Sequence, residues 1–180
     1  MTQFFKIFSI VLLATILILI IVGILAPSNT YFTKTQIIKS PTSVVWRQLT
    51  DVENYPTWQS SVRKVVLVGG SRIAEEGILQ FYMNAYDSTT YHEAKITKIE
   101  DDKTFSFART GMNTSPLLKN YQTSYNLKRL LDGTTEISVT ISYRTKGFIT
   151  KIYNQLFLRG SIGSQAERDL TRLKSSIESM

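Results

Sequence analysis

The pattern of apolar and polar positions divides this chain into three parts. Residues 7–26 contain no charged side chain, and Ser9 and Thr15 are their only polar ones. From residue 62 to 145, apolar and polar residues alternate in segments separated by turn signals, as in strands with one buried face. From about residue 148 to 178 the apolar residues return to helical spacing. The pattern therefore predicts one apolar helix, a sheet and one long C-terminal helix.

The elements between the two long helices are predicted to be mostly strands. Ser40-Pro41 places a capping residue before a proline at the first helical position, which indicates a short helix over 41–49, and a second helix or turn follows around 57–61. Strands are predicted at 31–39, 62–68, 77–84, 91–100, 104–110, 120–131 and 134–145. The fold class is thus α+β, with an antiparallel sheet covered on one face by the C-terminal helix.

The apolar segment has the length of a membrane span. Its twenty positions reach roughly 30 Å at about 1.5 Å per residue, which is the thickness of a bilayer core. A buried core helix and a cleaved signal peptide are the alternatives, but cleavage after Ala26 would leave Ile24 at the minus-three position and Pro27 directly after the cut. We therefore predict a short tail (1–6), a transmembrane anchor (7–26), a linker (27–30) and one domain (31–180). Lys6 favours a cytoplasmic N-terminus, so the protein is predicted to be single-pass with an extracytoplasmic domain.

Charge and composition restrict the chemistry. The chain has 21 basic and 14 acidic residues, and the surplus is scattered, which favours solubility or attraction to anionic lipid over nucleic-acid binding. It has no cysteine, and its one histidine, His92, precedes Glu93 on a strand, so the two side chains point to opposite faces. We therefore predict no catalytic residue, no metal and no cofactor.

The inward faces of the strands, together with the helix stripe, predict an aromatic interior with a few polar groups, as in ligand pockets. The alternative is a solid core. Gly160 and Gly163 allow either close helix–sheet packing or room for a ligand, and Arg109 needs a partner, either Glu167 or an anionic ligand group, unless it extends to solvent. The candidate pocket-lining residues are Phe81, Met83, Phe105, Phe107, Arg109, Tyr121, Tyr125, Ile141, Tyr143, Leu156, Gly160 and Gly163.

One stretch of the sequence resembles a known superfamily. The run from Ile38 to Asp51, with Ser40-Pro41 and Trp46, is followed by Tyr55-Pro56-Thr57-Trp58. This order is similar to that of the START-like helix-grip (SRPBCC) superfamily, and more narrowly to polyketide cyclase/dehydrase-type members with an N-terminal membrane anchor. The resemblance implies a curved seven-stranded antiparallel sheet wrapped around a long C-terminal helix, with two short helices after strand 1. It also implies a cavity for hydrophobic or amphipathic small molecules.

Three functions are compatible with these features. The first is a membrane-anchored, non-catalytic binding domain for a lipid or other hydrophobic small molecule. The second is a cyclase- or dehydratase-type enzyme acting on an aromatic or polyketide-like substrate. The third is a ligand-free protein-interaction module at the membrane. An open cavity between sheet and helix, and the polar groups that face it, would distinguish them.

Overall fold

The structure is a computed structural model that describes residues 2–70, 72–84, 91–111 and 117–180. The first half of the chain forms α1 (Thr2–Leu25), β1 (Asn29–Ile38), α2 (Thr42–Thr50), a 3₁₀ turn (Val52–Asn54), α3 (Tyr55–Trp58), β2 (Val62–Val68), β3 (Ile78–Met83) and β4 (Tyr91–Glu100). The second half forms β5 (Thr104–Thr110), β6 (Leu118–Arg129), β7 (Thr135–Thr145), α4 (Phe148–Tyr153), a π-helical turn (Asn154–Leu158) and α5 (Arg159–Glu178).

The strands form one seven-stranded antiparallel sheet in the order β1-β7-β6-β5-β4-β3-β2. The predicted α+β helix-grip architecture is confirmed, and only β1 leaves sequence order, because it pairs with β7. We call the end of the sheet where β1 begins and β7 ends the α1 end. Since all pairs are antiparallel, β2, β4 and β6 also begin there, and β3 and β5 end there. The opposite end, with the turn at Asp132-Gly133, is the far end.

Helix α1 continues directly into this sheet. It begins at Thr2, so the predicted tail is helical from that residue, and by length and composition Gln3–Leu25 is long and apolar enough to cross a membrane. The linker is shorter than the predicted residues 27–30, because Asn29 already belongs to β1, where it pairs with Arg144 of β7. Ser28 is held as well, since its carbonyl accepts a 2.8 Å hydrogen bond from the Thr145 amide. Only a few residues therefore separate α1 from the domain.

The C-terminal helix is not the uniform helix that the sequence predicts. A π-helical turn interrupts it at Asn154, whose buried amide accepts a hydrogen bond from Tyr143 Oη (2.6 Å) and donates one to Thr30 Oγ1 (2.9 Å). Side chains that face inward then follow at steps of four, which exceeds the 3.6 of a regular helix. They are Thr150, Asn154, Leu158, Ile162, Ala166 and Leu170. The predicted candidates Leu156 and Gly160 consequently lie two residues from the nearest inward-facing positions.

The interior is solid at the far end. Ile38, Leu49, Phe105 and Leu173 are fully buried there between the sheet, α2 and α5. At the same end Glu178 Oε1 accepts a 2.8 Å hydrogen bond from the Lys39 amide, so α5 runs from the α1 end to the far end. Any space inside the grip must therefore lie towards the α1 end.

Candidate functional site

A cavity of about 300 Å³ lies between the sheet and the first turns of α5, at the α1 end. This volume is at the lower limit of ligand pockets, which span roughly 300–1,000 Å³. The cavity is lined by Trp58, Gln59, Ser61, Val62, Phe81, Met83, His92, Phe107, Arg109, Tyr121, Thr123, Tyr125, Val139, Ile141, Ser161, Ile162, Gln165, Ala166, Asp169 and Leu170. Its lining therefore combines aromatic and aliphatic side chains with several polar ones and two charged ones, Arg109 and Asp169.

Strand alternation positions most of this lining. Residues two apart on a strand share a face, which aligns Phe81 with Met83 on β3 and Phe107 with Arg109 on β5. On β6, Tyr121 lies within an irregularity in the pairing with β7, between Lys119 and Gln122, and Tyr125 follows it in the cavity lining. The helix supplies the opposite wall, where residues three or four apart lie on one side.

The aromatic rings of the lining form a continuous wall. Phe81 stacks on the His92 ring with centroids 5.1 Å apart and planes 5° apart, and it lies 5.4 Å from the Phe107 ring. The Tyr125 ring lies 6.3 Å from Phe107 and 6.1 Å from the fully buried Trp58. Such contacts hold the rings in place and present an apolar surface to a ligand.

Arg109 is the cationic group of this cavity. Its guanidinium carbon lies 4.3 Å from the centroid of the Tyr121 ring, a cation–π geometry. Burial lowers the pKa of Arg109, and the nearby Tyr121 partly opposes that shift. Of the alternatives predicted for Arg109, an ion pair with Glu167 is wrong. Glu167 on α5 points to β1, where its Oε2 lies 2.9 Å from Lys34 Nζ. Within the described ranges, Arg109 forms no salt bridge with a carboxylate.

His92 lies beside Arg109 and is neutral at physiological pH. Burial, followed by the positive charge of Arg109, lowers the pKa of His92 to about 3. A neutral imidazole has one donor and one acceptor nitrogen, so it can hydrogen-bond a ligand without adding charge. His92 is not among the residues predicted to line the pocket, although it alternates with the buried residues Ala94 and Ile96 on β4.

Asp169 is the carboxylate of the opposite wall. Its Oδ1 accepts hydrogen bonds from Gln165 Nε2 (2.8 Å), the Ser60 amide (3.2 Å) and Ser60 Oγ (3.4 Å). Burial raises the pKa of Asp169, and the hydrogen bonds from Ser60 and Gln165 oppose that effect. The same carboxylate adds to the effect of burial in raising the pKa of Tyr125. The network fixes the helix wall to the segment that follows α3.

The structure brings together most of the candidate residues. Those that line the cavity are Phe81, Met83, Phe107, Arg109, Tyr121, Tyr125 and Ile141. Phe105 lies deeper in the core against Trp46, with ring centroids 6.5 Å apart. Tyr143 lies behind the wall, stacked on Tyr121 at 5.8 Å and bonded to Asn154. These two are therefore supports of the cavity and not its surface.

The helix candidates lie outside the cavity. Leu156 is exposed, and a side-chain carbon added at Gly160 would meet no atom within 4 Å, because the π-helical turn rotates both towards solvent. Gly163 is buried against β1, where an added carbon would lie 3.8 Å from Phe32 and from Lys34. The helix residues that line the cavity are instead ones that were not predicted as pocket-lining: Ser161, Ile162, Gln165, Ala166, Asp169 and Leu170.

A second, wider depression of about 810 Å³ lies between α2, the 3₁₀ turn and β2. Its rim carries charges of both signs, including Asp51, Glu53, Arg63 and Lys64. It lies outside the space between the sheet and α5, so the smaller aromatic chamber is the better ligand site. In the part of the chain that the structure describes, no three His, Cys, Asp or Glu side chains are grouped to hold a metal ion.

Comparison with known families assigns the fold. The model of the family described as polyketide cyclase / dehydrase and lipid transport matches residues 30–178. The chain belongs to this family. The match leaves out α1 and covers the whole sheet together with the C-terminal helix.

Solved structures of the same architecture share little sequence with this chain. An aromatase/cyclase, Zhui, from Streptomyces superposes with a TM-score of 0.68 at 14% identity, covering 83% of this chain and 94% of its own. The crystal structure of Ara h 8.0201 gives a TM-score of 0.63 at 14% identity, covering 84% of this chain and 99% of its own. No curated protein sequence matches. At this identity the likeness concerns the fold, and the family description leaves both ligand binding and cyclase-type chemistry open.

Proposed function

We propose that this polyketide cyclase/dehydrase family member is a membrane-tethered binding domain for a lipid-like amphiphile with an anionic polar group. The observation that carries the proposal is the aromatic cavity of about 300 Å³ in which Arg109 has no carboxylate partner among the described residues. The lipid-transport part of the family description agrees with it. A hydrophobic tail fits the apolar wall, and a carboxylate or phosphate fits the arginine.

The charge distribution favours an anion over a neutral polar group. A half-buried guanidinium loses hydration, and a charge-assisted hydrogen bond from an anionic ligand restores that stabilisation. His92 stays neutral beside Arg109, so the local charge at this wall is positive. Asp169 on the helix wall accepts hydrogen bonds from Ser60 and Gln165, and among the described residues it forms no salt bridge with Arg109.

The position of the cavity favours exchange with a membrane. The cavity lies at the α1 end, and its lining includes Val62, Met83 and Arg109, which stand near strand termini at that end. If α1 spans the bilayer, these termini lie on the bilayer side of the domain. A lipid-like ligand would then enter without crossing a long aqueous path.

Energy transfer from Trp58 to a dansylated fatty acid tests the proposal. Trp46 and Trp58 are the two tryptophans, so Trp46→Phe leaves one donor, which lines the cavity. We expect saturable transfer in full-length protein held in nanodiscs, competed by unlabelled fatty acid. Arg109→Gln should weaken the carboxylate probe about tenfold, since a hydrogen bond to a charged group contributes about 1.5–3 kcal/mol. The affinity for the methyl ester of the same probe should change little on Arg109→Gln.

Two control variants separate cavity binding from partition into the bilayer. Ala166→Phe adds a ring to the cavity wall and should abolish saturable transfer. Arg144→Gln removes an exposed charge near the same end of β7 and should leave binding unchanged. Transfer that does not saturate, or that survives Ala166→Phe, would contradict a ligand site in this cavity.

A cyclase- or dehydratase-type enzyme is the second candidate function, and Asp169 is the observation that favours it. Asp169 is a carboxylate with a raised pKa that lines the cavity, and general acid–base work needs such a group within hydrogen-bonding reach of the substrate. If the protein is such an enzyme, it should turn over a linear poly-β-ketone thioester, and Asp169→Asn should abolish turnover while binding persists. If it is a binding domain, the wild-type protein should show no turnover.

A further inference from the structure

The segment formed by α4 and the π-helical turn carries an apolar face that the fold leaves uncovered. We call it the docking face; its members and their exposed fractions are Phe148 (45%), Ile149 (80%), Tyr153 (45%), Leu156 (51%) and Phe157 (60%). The Tyr153 and Phe157 rings contact each other, with centroids 5.6 Å apart. The π-helical turn produces this face, because it directs the polar Asn154 inward and the large apolar side chains outward.

The docking face is joined to the last turn of α1. Gly23 is buried, and a side-chain carbon there would collide with the Phe148 ring and lie 3.0 Å from Ile152 Cγ1. The absence of a side chain at Gly23 thus lets α4 lie directly on α1. Gln3–Leu25 spans about 35 Å at 1.5 Å per residue, slightly more than a bilayer core, so its last turn reaches the interface. The docking face therefore lies at the depth of the lipid head groups.

The charged residues of the segment that carries the docking face are all basic. No aspartate or glutamate occurs between residues 137 and 166, whereas the basic residues Arg144, Lys146, Lys151 and Arg159 do. Aromatic and aliphatic side chains with flanking lysine and arginine are the composition of segments that lie in the plane of an anionic membrane surface. A protein partner would need acidic residues opposite these basic side chains, whereas anionic lipid head groups already carry the complementary charge.

We propose that the docking face inserts into the head-group layer of the bilayer that holds α1, and that it fixes the cavity end of the domain against that surface. The inference rests on the proposed function for the position of α1, and it adds a second, peripheral membrane contact. The basic rim favours anionic lipid, so the contact should strengthen with the anionic fraction of the bilayer.

Site-directed quenching tests this contact in the full-length protein. The chain has no cysteine, so single-cysteine variants carry one fluorophore each. Ile149→Cys and Phe157→Cys report the docking face, Leu13→Cys reports α1, and Leu131→Cys reports the exposed turn at the far end. Each labelled protein is reconstituted into phosphatidylcholine vesicles with or without phosphatidylglycerol. Quenching by a shallow nitroxide lipid is then compared with quenching by aqueous iodide.

We expect the lipid quencher to act at least threefold more strongly at positions 149 and 157 than at 131, and the difference to grow with phosphatidylglycerol. Iodide access at 149 and 157 equal to that at 131 would overturn the proposal. Shielding from both quenchers would also overturn it, because another protein or a second copy would then cover the face. Absence of quenching at position 13 by a nitroxide placed deep in the acyl chains would refute the tether in the proposed function, independently of the result at 149 and 157.

Discussion

At the scale of single residues, the cavity wall combines one cation with one neutral base. Arg109 stacks on Tyr121 and, together with burial, keeps the neighbouring His92 unprotonated. Two adjacent positive charges in an apolar chamber would repel each other, and the lowered pKa of His92 avoids that cost. Among the described lining residues, the sheet side of the cavity therefore carries the positive charge of Arg109 alone at physiological pH, opposite the Asp169 carboxyl group on the helix wall.

His92 should make the protein sensitive to acid. Its pKa falls from 6.5 to about 3 on folding, so the unfolded state binds more protons between these values, and stability falls as pH drops through that window. His92→Phe should flatten the dependence between pH 6.5 and 5, as measured by denaturant midpoints. Because His92 is the one histidine, its ring signals in NMR identify it directly, and a titration near pH 6.5 would contradict the burial argument.

The sequence identified the site only in part, and the reason is residue-specific. Alternation on the strands placed Phe81, Phe107 and Tyr125 correctly, because a two-residue period has only two faces. It also contained the signal for His92, which shares the face of Ala94, but a single polar residue on an apolar face was interpreted only as a possible catalytic group. That Glu167 pairs with Lys34 and not with Arg109 could not be predicted, since the direction of Glu167 depends on the rotation of a helix distant in sequence from β5.

At the scale of elements, the π-helical turn decides which residues of the C-terminal helix face the cavity. The sequence predicted the strands and short helices closely, because hairpin turns and Ser40-Pro41 are local signals. The π-helical turn has no such signal: Asn154 is buried by bonds to Tyr143 on β7 and to Thr30 on β1, and Thr30 lies 124 residues away in sequence. A uniform 3.6 period consequently misplaced Leu156 and Gly160.

Asn154→Ala should destabilise the protein by about 1–3 kcal/mol, because it removes both hydrogen bonds and leaves buried hydroxyls without partners. Chemical denaturation of full-length protein in detergent measures the loss. Gln155→Ala changes the exposed neighbour in the same turn and should have little effect. Equal stability of the two variants would mean that the buried network contributes little to holding the turn.

Gly160→Ala should stabilise the protein by up to about 1 kcal/mol, because the added carbon meets no atom within 4 Å and alanine favours the helix. Fatty-acid binding should not change, since Gly160 does not line the cavity. Gly23→Ala is the contrasting variant and should not stabilise the protein, because its added carbon would collide with Phe148. Reduced ligand uptake in Gly160→Ala would show that this part of the helix faces the ligand after all.

At the scale of the whole molecule, the packed core lies at the far end of the sheet and the cavity lies at the α1 end. The far end is closed by Ile38, Leu49 and Phe105, and it should hold the fold whether or not the cavity is filled. The cavity lies at the α1 end, so a ligand should be able to enter or leave without disturbing that packing. The family resemblance made this architecture predictable, whereas the position of the cavity within it depended on side-chain volumes along the whole sheet.

Ligand should therefore raise thermal stability without being required for folding. A ligand at one hundred times its Kd should add about 2.7 kcal/mol, since it binds only the folded state. The unfolding midpoint of full-length protein in nanodiscs should rise with an added fatty acid, and Arg109→Gln should shift the required concentration about tenfold. A midpoint that is insensitive to ligand in the wild-type protein would contradict a site of this kind.

The short connection between α1 and β1 sets how far the domain can travel. Pro27 and Ser28 are followed at once by paired residues, and four residue steps separate Leu25 from Asn29. Fully extended, that stretch reaches about 14 Å, less than half the thickness of a bilayer core. If α1 spans one membrane, the domain cannot carry a ligand across an aqueous gap wider than that reach. Delivery to a distant acceptor would then require the acceptor to approach the domain.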